Sequence, residues 1–175
     1  KQWNTTLSPI RSKAVNQVLP PRSEHASGGQ DELAYCHGAF KLQPGEALIV
    51  EMEAPDAHFW SAQLGNLWWE SLDYANYLSS ITAHYAVPSA DGRYRLVIAQ
   101  TDPGVVNWLD TAGHEDGTIL FRIFLPKAVP QLHVRKVAQS ELVAALPQDT
   151  QHVKPEQRAA AIAIRRRHVA ARLAP

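Results

Sequence analysis

Apolar and polar residues alternate along the middle of this chain, in short stretches that stop at Gly, Pro or Asp. Residues 93–99 read Arg-Tyr-Arg-Leu-Val-Ile-Ala and residues 119–123 read Ile-Leu-Phe-Arg-Ile, each with one face suited to burial. Residues 35–42 run into Gln43-Pro44-Gly45; 47–52 follow, and 58–64 come after Pro55-Asp56. Residues 84–87 lead into Pro88, Asp91-Gly92 opens 93–99, and 118–125 and 131–137 complete the set. Stretches this short, bounded by turn formers, predict antiparallel strands. A strand–helix–strand rhythm is absent, which argues against a parallel doubly wound sheet. The pattern predicts a mainly β fold, an antiparallel sandwich of jelly-roll type.

Both ends read differently. Residues 1–33 are polar and broken by Pro9, Pro20, Pro21, Gly28 and Gly29. Ser8 before Pro9 reads as an N-cap with proline in the first turn, and Ile10, Ala14, Val15 and Val18 make a short amphipathic face. This predicts a connecting N-terminal helix and linker over 1–33, a sandwich over 34–138, and a helical segment of the same domain over 139–175. In that last segment a short helix spans 139–146 with Ser140 as cap. A longer one opens at Lys154-Pro155-Glu156 and runs to Leu173, with Ile162, Val169 and Leu173 on one face. Its six basic residues against one acidic resemble a nucleic-acid arm. The better reading is a surface helix whose cations favour the C-terminal end of the macrodipole.

Composition adds mostly exclusions. Seventeen Lys and Arg balance seventeen Asp and Glu, so no nucleic-acid partner is expected. One cysteine, Cys36, excludes an intramolecular disulfide framework and multi-cysteine metal sites. Apolar runs such as Ala47-Leu48-Ile49-Val50 are too short to span a bilayer. A cytoplasmic location is expected, with the periplasm also open. The chain begins at Lys1, and together with the linker-like start this suggests a processed or partial chain.

Two segments break the alternation. One is Leu67-Trp68-Trp69-Glu70-Ser71-Leu72-Asp73-Tyr74-Ala75-Asn76-Tyr77; the other runs from Asp102-Pro103-Gly104-Val105 through Asn107-Trp108-Leu109-Asp110-Thr111-Ala112-Gly113-His114. Eight of the ten Trp and Tyr residues fall between Trp60 and Trp108, which makes this region either a large core or a stacking surface. The Trp69–Tyr74 stretch, the Asp102 and Asn107–His114 stretches and Arg122 together resemble a bacterial family catalogued as domain of unknown function 1214. The resemblance runs from about Phe40 to Leu125 and extends to the helix opening at Pro155-Glu156. It implies a jelly-roll-like sandwich, usually the C-terminal part of a longer protein with a second uncharacterised jelly-roll domain before it. The chain departs from the family pattern at Tyr77, where many relatives carry Arg.

The chemistry these residues could perform divides two ways. Glu70 and Asp73 would share a face of a helix, and Asp110 arrives from the second segment. Paired acids beside aromatic platforms are the minimum equipment for glycoside hydrolysis. In that reading Glu70 or Asp73 serves as acid or base and Asp110 orients His114. Trp69, Tyr74, Asn76, Asn107, Trp108 and Arg122 line a cleft for a glycan or small apolar ligand. The competing reading is structural: Asp73, Asn76, Asn107 and Asp110 satisfy turn backbone, Trp69 and Trp108 plug the loops, and Asp110 and His114 form a buried pair. A His-x-His pair is absent, Ser71 and Ser79-Ser80 lie in no nucleophile elbow, and no glycine-rich phosphate loop occurs. No metal and no cofactor are expected. The leading expectation is a domain acting by packing and association, with its parent chain or in a homo-oligomer. The alternative is an enzyme or ligand-binding domain with its cleft at 68–77 and 102–114.

Overall fold

A computed structural model describes residues 13–23 and 32–174. Its strands are β1 (Gln17–Val18), β2 (Arg22–Ser23), β3 (Leu33–Lys41), β4 (Glu46–Glu53), β5 (Ala57–Gly65), β6 (Ser80–Thr82), β7 (Arg93–Ala99), β8 (Trp108–Asp110), β9 (Asp116–Pro126) and β10 (Leu132–Ala138). A 3-10 turn, Gln139–Glu141, leads into α1 (Leu142–Ala145), and α2 (Pro155–Leu173) closes the chain. Six strands form one sheet in the order β1-β3-β9-β5-β6, with β2 also on β3; β10-β4-β7-β8 form the other. The chain is therefore mainly β, two sheets packed face to face.

Alternation explains the packing. Cys36 and Phe40 of β3, Trp60, Ala62 and Leu64 of β5, and Ile119, Phe121 and Ile123 of β9 point inward from the first sheet. They meet Leu48, Val50 and Met52 of β4 and Leu96 and Ile98 of β7. The outer face of the second sheet is divided. At one end Ala47, Ile49, Val97 and Ala99 are covered by Val105, Trp108, Leu142 and Leu146. At the other, Glu51 bridges Arg93 and Arg95 at 2.8 Å each, and Asp91 takes the far side of Arg95 at 2.7 Å. Hydrogen bonds from Arg95 and from the Arg93 amide pull the Asp91 carboxyl down to about 2.

Several expectations need correction. The expected N-terminal helix, opening at Ser8-Pro9 with Ile10, Ala14, Val15 and Val18 on one face, lies outside the described residues up to position 12; Lys13 is helical, and from Val15 to Val18 the chain instead joins β3. Asn16 has φ 55°, Val15 bridges to Ala39, and Gln17 and Val18 pair with Ala39 and Gly38. The expected linker thus adds strands to the first sheet. Residues 84–87 are not a strand; the short strand is β6, which pairs with Ser61, Ala62 and Gln63 of β5. Ser140 caps nothing, because Ala138 holds the N-cap position of that turn without a side-chain bond.

The face of α2 also differs. Its partly buried residues are Arg158, Ile162, Arg165 and Val169, spaced four, three and four apart, while Leu173 is 75% exposed. The helix therefore presents two arginines to the body. Arg158 grips Asp102 with Nε at 2.8 Å and Nη2 at 3.1 Å, donates to the Val105 carbonyl at 2.7 Å, and lies 5.1 Å from the Trp108 ring centroid. Gly117 locks the first sheet, since a Cβ there would strike the Gly65 carbonyl and fall 2.6 Å from the Phe40 ring. Gly117→Ala should lower unfolding free energy by about 1–3 kcal/mol through overpacking, read by urea denaturation.

Candidate functional site

The two irregular segments lie at the same end of the sandwich, beside the turn joining β3 and β4. The first is folded by Asn66. Its Oδ1 accepts the Trp68 and Glu70 amides at 2.9 and 3.0 Å, and its Nδ2 donates to Glu70 Oε2 at 2.6 Å. Trp69 then adopts φ 67° and stacks on His37 with ring centroids 5.1 Å apart. Asp73 closes the next turn, accepting the Ala75 and Asn76 amides at 3.1 Å each and the Asn76 side-chain amide at 2.6 Å. The Asn76 side-chain bond leads the causes that hold the Asp73 carboxyl below its usual range. Both predicted acids thus serve turns, and no helix places them on one face. Tyr74 is exposed beside them.

The second segment is held by side chains acting in place of backbone. Asn107 has φ 58°; its Oδ1 accepts the Val87 amide at 2.8 Å, and its Nδ2 donates to the carbonyls of Val87 at 2.7 Å and Arg95 at 3.2 Å. Trp108 donates from Nε1 to the Ala99 carbonyl at 3.0 Å. Asp110 is buried, and its Oδ1 accepts the Ala112 amide at 2.8 Å. Burial pushes its carboxyl up, and nearby Asp102 adds to the rise. Ala112 and Gly113 have φ 52° and 81°, which carries His114 out to solvent with its amide on the Thr111 carbonyl at 3.0 Å. The expected buried Asp110–His114 pair is therefore corrected: the turn between them points the imidazole away.

The second segment reaches the residue just after the first through the Asp110 amide, which donates to the Leu78 carbonyl at 3.1 Å, and the arginines of α2 tie both to the helix. Arg158 holds the second segment as described. Arg165 reaches the first, donating from Nη1 to the Tyr74 carbonyl at 3.2 Å and Ser80 Oγ at 2.9 Å, and from Nη2 to the Ser80 carbonyl at 2.6 Å. Arg122 stands apart on the outer face of the first sheet, donating to Gln63 Oε1 at 3.0 Å. Among the described residues no group of three or more His, Cys, Asp or Glu could hold a metal ion. No described helix is long and apolar enough to cross a membrane.

An open cleft of about 390 Å³ lies at the opposite end, where Glu53, Asp56, Arg93, Val129, Pro130 and His133 line the gap between two loops. Sequence reasoning missed it. The available signal was a pair of proline turns, at Pro55 and Pro130, bounding strands that begin and end together.

No family model matches this chain, and no curated protein matches it. Among solved structures, an uncharacterised protein from Burkholderia cenocepacia is 36% identical over 82% of this chain and 39% of that one, with a TM-score of 0.73. The VPA0106 protein from Vibrio parahaemolyticus is 16% identical over 59% of this chain and 31% of that one, with a TM-score of 0.46. The chain thus spans well under half the length of either.

Two substitutions test this account of the site. Asn107→Ala removes three hydrogen bonds at a left-handed position and should cost about 2–4 kcal/mol of stability in urea unfolding. Asp110→Asn keeps an oxygen for Ala112 and removes a buried charge, so it should be at least as stable as wild type at neutral pH. The sign follows from the raised pKa: the folded protein takes up the Asp110 proton at higher pH than the unfolded chain. The advantage of Asp110→Asn should therefore shrink as pH falls through that pKa. It should vanish below the unfolded value of about 3.9, in melts taken across pH.

Proposed function

We propose that this chain is a domain that works by packing and association within a longer bacterial protein, against a second domain or a homologous subunit. The reading includes membership of the family catalogued as domain of unknown function 1214, and a jelly-roll-like sandwich. Alternation of β3, β4 and β5 between the two sheets supports that topology. The greater length of the Burkholderia cenocepacia protein supports the longer parent.

One observation carries the functional part. The polar side chains of both segments are spent inside the fold: Asn66, Asp73, Asn107 and Asp110 on backbone amides and carbonyls, Asp102 on Arg158. Large apolar side chains remain on the outside of the same region, with Trp68 77% exposed and Tyr77, nine residues further on, 41% exposed. Such rings are enriched at protein interfaces. A glycan-directed or small-ligand cleft at these loops has less support, because Glu70 and Asp73 are engaged in turns and His114 points to solvent.

Sedimentation of the purified chain provides the test. Reversible self-association should grow with concentration, and Trp68→Ser should weaken it about tenfold or more while the melting temperature stays within a few degrees. A chain that stays monomeric throughout, or one whose association ignores Trp68→Ser, would count against the proposal.

A further inference from the structure

The two arginines that anchor α2 are not equivalent. Arg158 has a carboxylate, Asp102, gripped from two nitrogens. Arg165, two turns along the same face, is partly buried, and its three acceptors are all neutral: the Tyr74 carbonyl, Ser80 Oγ and the Ser80 carbonyl. Among the described residues no carboxylate forms an ion pair with it. A partly desolvated cation without a counter-charge is costly, and its cost falls when an anion arrives. Burial indeed pulls the Arg165 guanidinium below its ordinary range.

Donor counting gives the shape of what is missing. A guanidinium carries five N–H groups. Arg165 uses two on Nη1 and one on Nη2, leaving Nε–H and a second Nη2–H without an acceptor among the described residues. Nε and Nη2 form the edge that carboxylates grip in a bidentate pair. Two exposed tyrosines belong to the turns around these anchors: Tyr74, 40% exposed, whose backbone carbonyl Arg165 holds, and Tyr85, 63% exposed, five residues after Ser80. The neighbouring cation, Arg166, helps to hold the Asp73 carboxyl below its usual range.

We propose that the free edge of Arg165 is a binding site for a carboxylate borne on a flat apolar body, with the exposed side chains of Tyr74 and Tyr85 as the rings that this body meets. The carboxylate takes Nε–H and Nη2–H, and the body lies against the tyrosines. Nothing in this site depends on the association proposed above, and Trp68 takes no part in it.

Sodium benzoate is the probe, with sodium phosphate and sodium chloride at matched ionic strength as comparisons. The readout is the Arg165 Nε–H resonance of the nitrogen-15-labelled chain. Benzoate should shift that resonance saturably, phosphate should bind markedly more weakly, and chloride should produce no saturable shift. Tyr85→Ala leaves all three anchors of Arg165 in place and should weaken benzoate roughly fivefold, the size of one ring contact. Arg165→Gln should abolish benzoate binding measured by calorimetry. Should Arg165→Gln loosen α2, seen as lost helical circular dichroism, the Tyr85→Ala result decides alone. A resonance that benzoate leaves unmoved, phosphate binding as tight as benzoate, or benzoate affinity indifferent to Tyr85→Ala would each overturn the site.

Discussion

A strand of three residues cannot hold itself in a sheet by backbone bonds alone, and the architecture turns on how β8 is kept in place. It runs parallel to β7, pairing Trp108, Leu109 and Asp110 with Val97, Ile98 and Ala99, and all three of its residues are buried. Parallel pairing is slightly weaker per residue than antiparallel pairing, and three residues offer little of it. Side chains make up the difference. Asn107 ties the start of the strand to Val87 and Arg95, the Trp108 indole reaches the Ala99 carbonyl, and Arg158 closes over the indole from outside. With β8 fixed, Leu109 enters the main core and Trp108 completes the smaller one on the outer face.

This arrangement explains why Asp, Asn and Glu gather at these turns. Asp and Asn adopt left-handed backbone and bond to nearby amides more readily than other side chains, so long turns recruit them. Asp73 and Asp110 each close a turn, while Glu70 completes the ring around Asn66. Asp102 does two things: it accepts the Gly104 amide, and it receives Arg158 across 56 residues of sequence. Its carboxylate thereby links the turn before β8 to the helix that ends the chain.

What the residues revealed beforehand, and what they concealed, divides by range. β3, β4, β5, β7, β9 and β10 are long enough for alternation to show and are bounded by turn formers such as Pro44-Gly45 and Asp91-Gly92. Their expected limits fall within about two residues of the observed ones, the usual blur of element ends. β1, β6 and β8 are two or three residues long and exist because a distant strand offers a partner, so no local pattern announces them. The α2 face misleads for a related reason. Counting apolar residues picks Ile162, Val169 and Leu173, whereas Arg158 and Arg165 share the packed face because carbonyls and a carboxylate from remote turns await them. The turn roles of Asp73 and Asn107 were legible as residue types. The outward swing of His114 was not, since it depends on two consecutive left-handed residues after Asp110.

The divided outer face of the second sheet carries a consequence for how the molecule responds to its medium. One half is apolar and roofed by Leu142, Leu146 and Trp108; the other is a partly open lattice of Glu51, Arg93, Arg95 and Asp91. Simple electrolytes screen the lattice, while strongly hydrated anions such as sulfate tighten the roofed half. The same two strands, β4 and β7, therefore meet the solvent with opposite sensitivities at their two ends. The identity of the salt, more than its concentration, selects which end of the sheet loosens first.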